Sequence, residues 1–263
     1  MYNASEFVAA CNRLVGMPYW YGTCIYPCTR SLLASKKVQY PGHYTNSRMR
    51  KYESDCDKHL LAMDCVGLIK GFFWCGGLAP IDNYLNGLST LPRKYARDLP
   101  DKSANSLGPW CKSKGAQAGK IETIPDVAGI IVHKSGHVGV YVGNGDVVEA
   151  RGFAYGVVRT RLNERPWEDW FFLPASVLNY GGAGAPDQPE TPAEPVPDPE
   201  PEKPTEDAEI TYFIHTVAAG DRLWNIAKKY YGSGYKFRMI QADNGLKNDK
   251  IYPGDQLKIR KEG

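Results

Sequence analysis

Ala62-Met63-Asp64-Cys65-Val66-Gly67-Leu68-Ile69 is the stretch from which the fold is read. An acidic residue and a cysteine precede an apolar run, the pattern of a loop entering a buried helix with Cys65 in its first turn. Unpaired amides and partial positive charge at a helix start stabilise an anion, so a cysteine there is drawn toward thiolate and becomes a candidate nucleophile. Against this stands a plainer reading, a small hydrophobe packed among Val66, Leu68 and Ile69, since free cysteine is among the most buried residue types. A second signal has to separate the two.

That signal is Ser135-Gly136-His137-Val138-Gly139-Val140-Tyr141-Val142-Gly143-Asn144-Gly145. A strand opening on His137 meets an Asn-Gly turn and returns as Asp146-Val147-Val148-Glu149-Ala150, a strong hairpin pattern. Together, Asp-Cys-x-Gly-Leu and Gly-His-Val-Gly-Val-Tyr-x-Gly-Asn-Gly resemble the NlpC family of papain-like cell-wall cysteine peptidases. The resemblance implies an α+β fold, helices packed on an antiparallel sheet, with Cys65 as nucleophile and His137 as its base. It also implies that Tyr19, in Pro18-Tyr19-x-x-Gly22, lines the active site. The family's third polar residue stands twelve positions after the histidine, which here is Glu149.

Glu149 carries a geometric condition. An odd loop over Val142 to Asn144, or an equivalent bulge, puts His137 and Glu149 on one face. A two-residue Asn144-Gly145 turn alone pairs His137 with Gly152 and turns Glu149 away, because strand faces alternate. With the condition met, Glu149 is expected to orient the imidazole and favour a thiolate–imidazolium pair. The Cys65 amide, aided by Tyr19, is expected to receive the oxyanion.

The remainder of residues 1–180 is read around these motifs. A helix is expected from Ser5, as its cap, to Gly16, with Trp20 and Tyr21 as core. The Cys65 helix is expected to stop at Gly76-Gly77, with a short helix within Asp101 to Lys114 and strands over Val127 to Val132 and Val157 to Arg159. Trp167, Trp170, Phe171 and Phe172 read as core, and His133 as structural. Residues 23–60 depart from the family as an insert carrying Cys24, Cys28, Cys56, His43 and His59. Zinc ligation there would need tighter spacing and a second knuckle, which the segment lacks. A segment that shapes the cleft fits better, and no metal or cofactor is expected.

Composition then breaks sharply. Residues 181–210 hold eight prolines, nine acidic residues and one lysine, too little apolar surface to fold, so an extended tether is expected. The flanking parts are basic: 21 Lys/Arg to 15 Asp/Glu in 1–180, and 10 to 5 in 211–263. Residues 211–263 resemble a LysM domain on Val217-x2-Gly220-Asp221-x-Leu223-Trp224-x-Ile226-Ala227, Ile240-x3-Asn244-Gly245-Leu246 and Ile251-Tyr252-Pro253-Gly254-Asp255. That resemblance implies a small βααβ unit gripping N-acetylglucosamine-containing glycan between two loops. Gly220, Asp221, Arg222, Leu223, Asn244, Gly245, Ile251 and Tyr252 are its candidate contacts, while Trp224 reads as core.

The expected partner is therefore bacterial peptidoglycan, an anionic polymer suited to basic domains. Nucleic acid lacks a motif or a dense basic face here, and no run of 18 apolar residues exists to enter a membrane. The N-terminus lacks a basic start followed by an apolar stretch, and seven cysteines cannot all pair. These features fit a cytoplasmically made phage or prophage lysin. The expected reaction is amide hydrolysis in the stem peptide, D-glutamyl–diamino acid cleavage ahead of muramoyl–L-alanine cleavage. A non-catalytic wall-binding or phage-tail protein is the rival.

Overall fold

The computed structural model describes residues 2–181, 211–231, 237–246 and 250–261. The expectation of an extended tether over 181–210 lies almost wholly outside them. Contacts divide the chain into Met1–Ala183 and Gly184–Gly263, and each unit is described by itself.

The first unit contains helices α1 (Ala4–Arg13), α2 (Arg30–Gln39), α3 (Met49–Asp57), α4 (Cys65–Cys75), α5 (Leu78–Leu85) and α6 (Ala104–Ser113). Its strands are β1 (Tyr2–Asn3), β2 (Tyr26–Pro27), β3 (Leu61–Ala62), β4 (Ala118–Lys120), β5 (Ile131–Lys134), β6 (His137–Gly143), β7 (Asp146–Gly152), β8 (Gly156–Arg161), β9 (Asp169–Phe171) and β10 (Leu178–Asn179). A six-stranded sheet runs β4-β9-β5-β6-β7-β8, antiparallel at every junction. Every residue of α4 is buried, because α4 is enclosed by β6 and β7, α1 and α5. A helix apolar on every side but that of Lys70 has no other place to go.

Local chemistry sets the ends of α4. The Asp64 carboxylate accepts from the Gly67 amide at 2.6 Å, capping the start. Gly76 closes the end in the left-handed conformation at φ 91°. Two glycines inside the helix have another purpose. A Cβ at Gly67 would stand 1.9 Å from the Thr23 carbonyl oxygen, and one at Gly71 would meet Ile25 at 2.5 Å. The 22–25 segment therefore crosses α4 in backbone contact.

Several boundaries differ from the sequence reading. Asn3, not Ser5, caps α1, accepting from the Glu6 amide. Strand β5 begins at Ile131 rather than Val127, because the backbone turns at Gly129 (φ 97°), whose amide donates to the Tyr141 carbonyl. Trp20 is fully buried as expected, whereas Tyr21 is 37% exposed and stacks flat on His43. The insert forms α2 and α3 around a core of its own, where Trp20, Tyr44 and Tyr52 pack with Cys28 and Cys56. Cys24 belongs to the main core. The insert's thiols are thus distributed between two apolar interiors, and all seven cysteines are unpaired.

The second unit is strand, helix, helix, strand: β11 (Tyr212–Thr216), α7 (Leu223–Tyr231), α8 (Phe237–Asp243) and β12 (Gln256–Arg260), with β11 and β12 antiparallel. Val217, Leu223, Ile226, Ala227, Ile240, Leu257 and Ile259 form its core. The Trp224 side chain falls outside the description. Among the described residues no single helix is long and apolar enough to cross a membrane.

Candidate functional site

Strand register decides whether His137 and Glu149 meet. The turn has two residues, Asn144 and Gly145 at φ 54° and 75°, the pair of positive φ values that such turns require. By itself this turn would send Glu149 to the far face. A register shift between Tyr141 and Gly143 intervenes, so that Val140 pairs with Val148 and Tyr141 with Val147. The bulge alternative holds and the odd loop does not form. His137 and Glu149 share a face as diagonal rather than directly opposed neighbours, and Nε2 of His137 lies 2.6 Å from Oε2 of Glu149.

Glu149 is fully buried. The Thr160 hydroxyl donates to its other oxygen at 2.9 Å, and Arg165 Nε lies 3.2 Å away as an ion pair outside hydrogen-bonding geometry. Burial pushes the Glu149 carboxyl up, but the hydrogen bond and charge of His137, with Thr160 and Arg165, outweigh it and hold the group below its ordinary range. Trp167 stacks on the His137 ring with centroids 5.6 Å apart. It does so over Gly139, where a Cβ would meet the indole at 3.1 Å. Trp167 read as core from sequence. Its place over the imidazole was missed, although Gly139, two residues after His137 on the same strand face, marks where the large ring enters.

Cys65 stands at the first position of α4, with its sulfur close enough to the amide of Val138, the residue after His137, for that N–H to favour the thiolate. The thiol is therefore seated against the start of β6. With Nε2 engaged by Glu149, Nδ1 is the imidazole nitrogen that Glu149 leaves unengaged. The expected thiolate is not the resting form: burial, then the Asp64 charge, pushes the Cys65 thiol up to about 12, against the opposing amides of Val138, Val66 and Cys65 itself. The start of α4 does not hold a thiolate as expected, because Cys65 is only 8% exposed and desolvation penalises the anion more than the helix amides favour it.

Tyr19 is held near Cys65 by a parallel bridge to Met63. Burial first, then the charges of Cys65 and Asp64, pushes its phenol well up, so it stays a hydroxyl donor. Asn105, at the start of α6, accepts from the Gly136 amide at 2.6 Å and bonds His133 at 3.2 Å, which fixes the turn leading into His137. Tyr19 and Cys65 line a cleft of about 670 Å³, whose walls include Tyr40 and Lys36 from the insert.

In the second unit the candidate glycan contacts separate into two kinds. Leu223 is 1% exposed and belongs to the core, which corrects its place among the contacts. Asp221 accepts from the Ala218 amide and bonds His215 at 2.9 Å. The Asn244 side chain donates to Ile240 and Lys258 carbonyls and accepts from the Lys258 amide at 2.7 Å. Both polar groups are spent on shaping the loops. Gly220 and Gly245 supply positive φ, 89° and 63°, and Arg222 is exposed with Tyr252 at 65%. Ile251 is half-buried, and residues 247–249 of this loop lie outside the description.

Residues 215–260 match the LysM domain family. The uncharacterized protein YkzQ of Bacillus subtilis strain 168 is 39% identical over 51 residues, covering 19% of this chain and 64% of that protein. Among solved structures, NlpC2 from Trichomonas vaginalis is similar with a TM-score of 0.33 and 17% identity, over 65% of this chain and 46% of that one. The chain thus spans just under two thirds of its curated relative and less than half of the solved one.

Proposed function

We propose that the first unit is a papain-like, NlpC-type cysteine peptidase that hydrolyses an amide bond in the peptidoglycan stem peptide while the LysM domain holds glycan. One observation carries this reading: the His137 imidazole is clamped by buried Glu149 on one nitrogen, and the Cys65 sulfur rests on the amide of the next residue. A cysteine serving only as core filler has no use for an imidazole oriented by a buried carboxylate.

In the proposed cycle Nδ1 of His137 takes the proton from Sγ as sulfur attacks the scissile carbonyl carbon. Starting from a neutral thiol, the proton moves in concert with attack on the carbonyl. The Cys65 backbone amide and the Tyr19 hydroxyl meet the oxyanion. The tetrahedral adduct collapses as the imidazolium protonates the leaving amine, giving a thioester. Water then attacks the thioester carbonyl with His137 taking its proton, and the thiolate leaves and is reprotonated. Glu149 stabilises the imidazolium in both halves and holds the tautomer.

D-glutamyl–diamino acid cleavage is the favoured bond and muramoyl–L-alanine cleavage the alternative; masses of fragments released from defined walls separate them. The deep seat of Cys65 favours one rival, a wall-binding or phage-tail protein without catalysis. Replacing Cys65 by Ala decides between them, since only the enzyme loses turbidity-clearing activity. We further propose synthesis in the cytoplasm followed by action at the wall as a phage or prophage lysin. Seven unpaired thiols support it, because such thiols persist in reducing compartments.

A further inference from the structure

We infer that Lys36 of the insert, together with Lys102, forms a subsite for a free carboxylate of the stem peptide and so selects unamidated peptidoglycan. The inference deepens the proposed peptidase reading and rests on it. Both lysines line the cleft that contains Cys65. Their charge is uncommitted: among the described residues neither makes an ion pair.

The cleft's acids are already engaged. Asp64 accepts from the Gly67 and Gly22 amides. Asp101 pairs with the buried Lys70 and accepts from the Tyr95 hydroxyl. What remains open to a ligand is positive. Lys36 is also positioned, not loose: its ammonium donates to Gln39 at 2.8 Å and lies 5.3 Å from the Tyr40 ring centre. Burial lowers its pKa, with the charges of Cys24 and Asp64 opposing. An ammonium partly removed from water and without an ion-pair partner gains from an incoming carboxylate.

Residues 23–60 thereby acquire a purpose. Thr29 caps α2, and α2 is fastened through its own core to Trp20, next to Tyr19 in the cleft wall. Lys36 is consequently held at a fixed place relative to the thiol. A stem peptide carries candidate carboxylates in two places, on the D-glutamyl residue and on the diamino acid.

Binding of three synthetic stem peptides to the full-length Cys65→Ala protein tests the inference by calorimetry: one with both carboxylates free, one amidated at glutamate, one amidated at the diamino acid. We expect one amidation to weaken binding about tenfold, the scale of a lost charge-assisted bond, and thereby to identify the carboxylate read. Lys36→Gln should weaken the free peptide equally and leave that amidated peptide unchanged, while Lys36→Arg retains the preference. Equal affinity for all three peptides, no binding of any, or an undiminished preference in Lys36→Gln would overturn the subsite. Cleavage by the intact chain is scored separately: binding selectivity without cleavage sinks the peptidase and leaves the subsite standing.

Discussion

Nε2 of His137 and Oε2 of Glu149 lie 2.6 Å apart, brought together by one irregularity in a hairpin whose two-residue turn would otherwise separate them. The residue added at Val142 shifts every later pair on the two strands, and a shift of one residue reverses which side chains face which side. With Val142 in the chain, the acid–base pair therefore depends on that residue being left out of the pairing, some distance along the strand from either member. Deleting Val142 should leave Tyr141 opposite Val147 and keep the His137–Glu149 contact, whereas inserting one residue between Val148 and Glu149 should turn the carboxylate to the far face, seen as loss of activity in a folded protein.

Cys65→Ala should abolish clearing of purified walls while binding to those walls persists through the LysM domain. Turbidity and co-sedimentation measure the two separately, and clearing by the variant at the parental rate would end the peptidase proposal.

Glu149→Gln should preserve the fold and lower kcat by about a hundredfold or more, since the imidazolium loses its carboxylate. Glu149→Ala should also destabilise the protein, by about 1–3 kcal/mol, because the Thr160 hydroxyl loses its acceptor and the half-buried Arg165 its counter-charge. Because the folded Glu149 carboxyl lies below its ordinary value of 4.5, its contribution is complete above that pH and is lost as pH falls through the folded value. Denaturant titrations of parent and Glu149→Gln should converge on acidification; a constant difference would refute the assignment.

A thiol pushed up to about 12 is neutral at rest. The thiolate absorbance difference between the parent and Cys65→Ser should be absent at neutral pH and appear only in strong alkali. Thiolate already present at neutrality would restore the ion-pair reading.

Gly67→Ala places a methyl 1.9 Å from the Thr23 carbonyl oxygen, where only backbone movement relieves the clash. We expect a loss of about 1–3 kcal/mol, visible as a lower Tm, together with reduced activity, because the displaced segment adjoins Gly22 in the cleft wall.

In the LysM domain, Tyr252→Ala should weaken wall binding without altering stability, whereas Asn244→Ala should lower stability first, because it removes two hydrogen bonds to Lys258 of β12 and one to the Ile240 carbonyl of α8. Equal effects of both variants on thermal unfolding would contradict this division.

Much of this arrangement follows from local rules that the chain carries in plain view. Asp64 as a cap, Gly76 as a stop and the apolar run between them, broken only at Lys70, predict α4; alternation and Asn144-Gly145 predict the hairpin; the prolines and acids after 180 mark a compositional break. The α-helices of the insert were not legible, since their few apolar residues pack on a small separate core whose partners, Trp20 and Ala62, lie outside the segment. Trp167 could be assigned to the interior but not to His137, because its neighbour across the fold depends on Gly139 leaving a gap.

Residue order settled which side chains were available for chemistry, because caps, turns and periodicity act over a few neighbours. Protonation and alignment were decided only by the assembled fold: the count of residues around a bulge set Glu149 against His137, and the depth to which packing sank Cys65 kept its sulfur a thiol. Register and desolvation are sums over contacts between distant segments, and no window of sequence contains them.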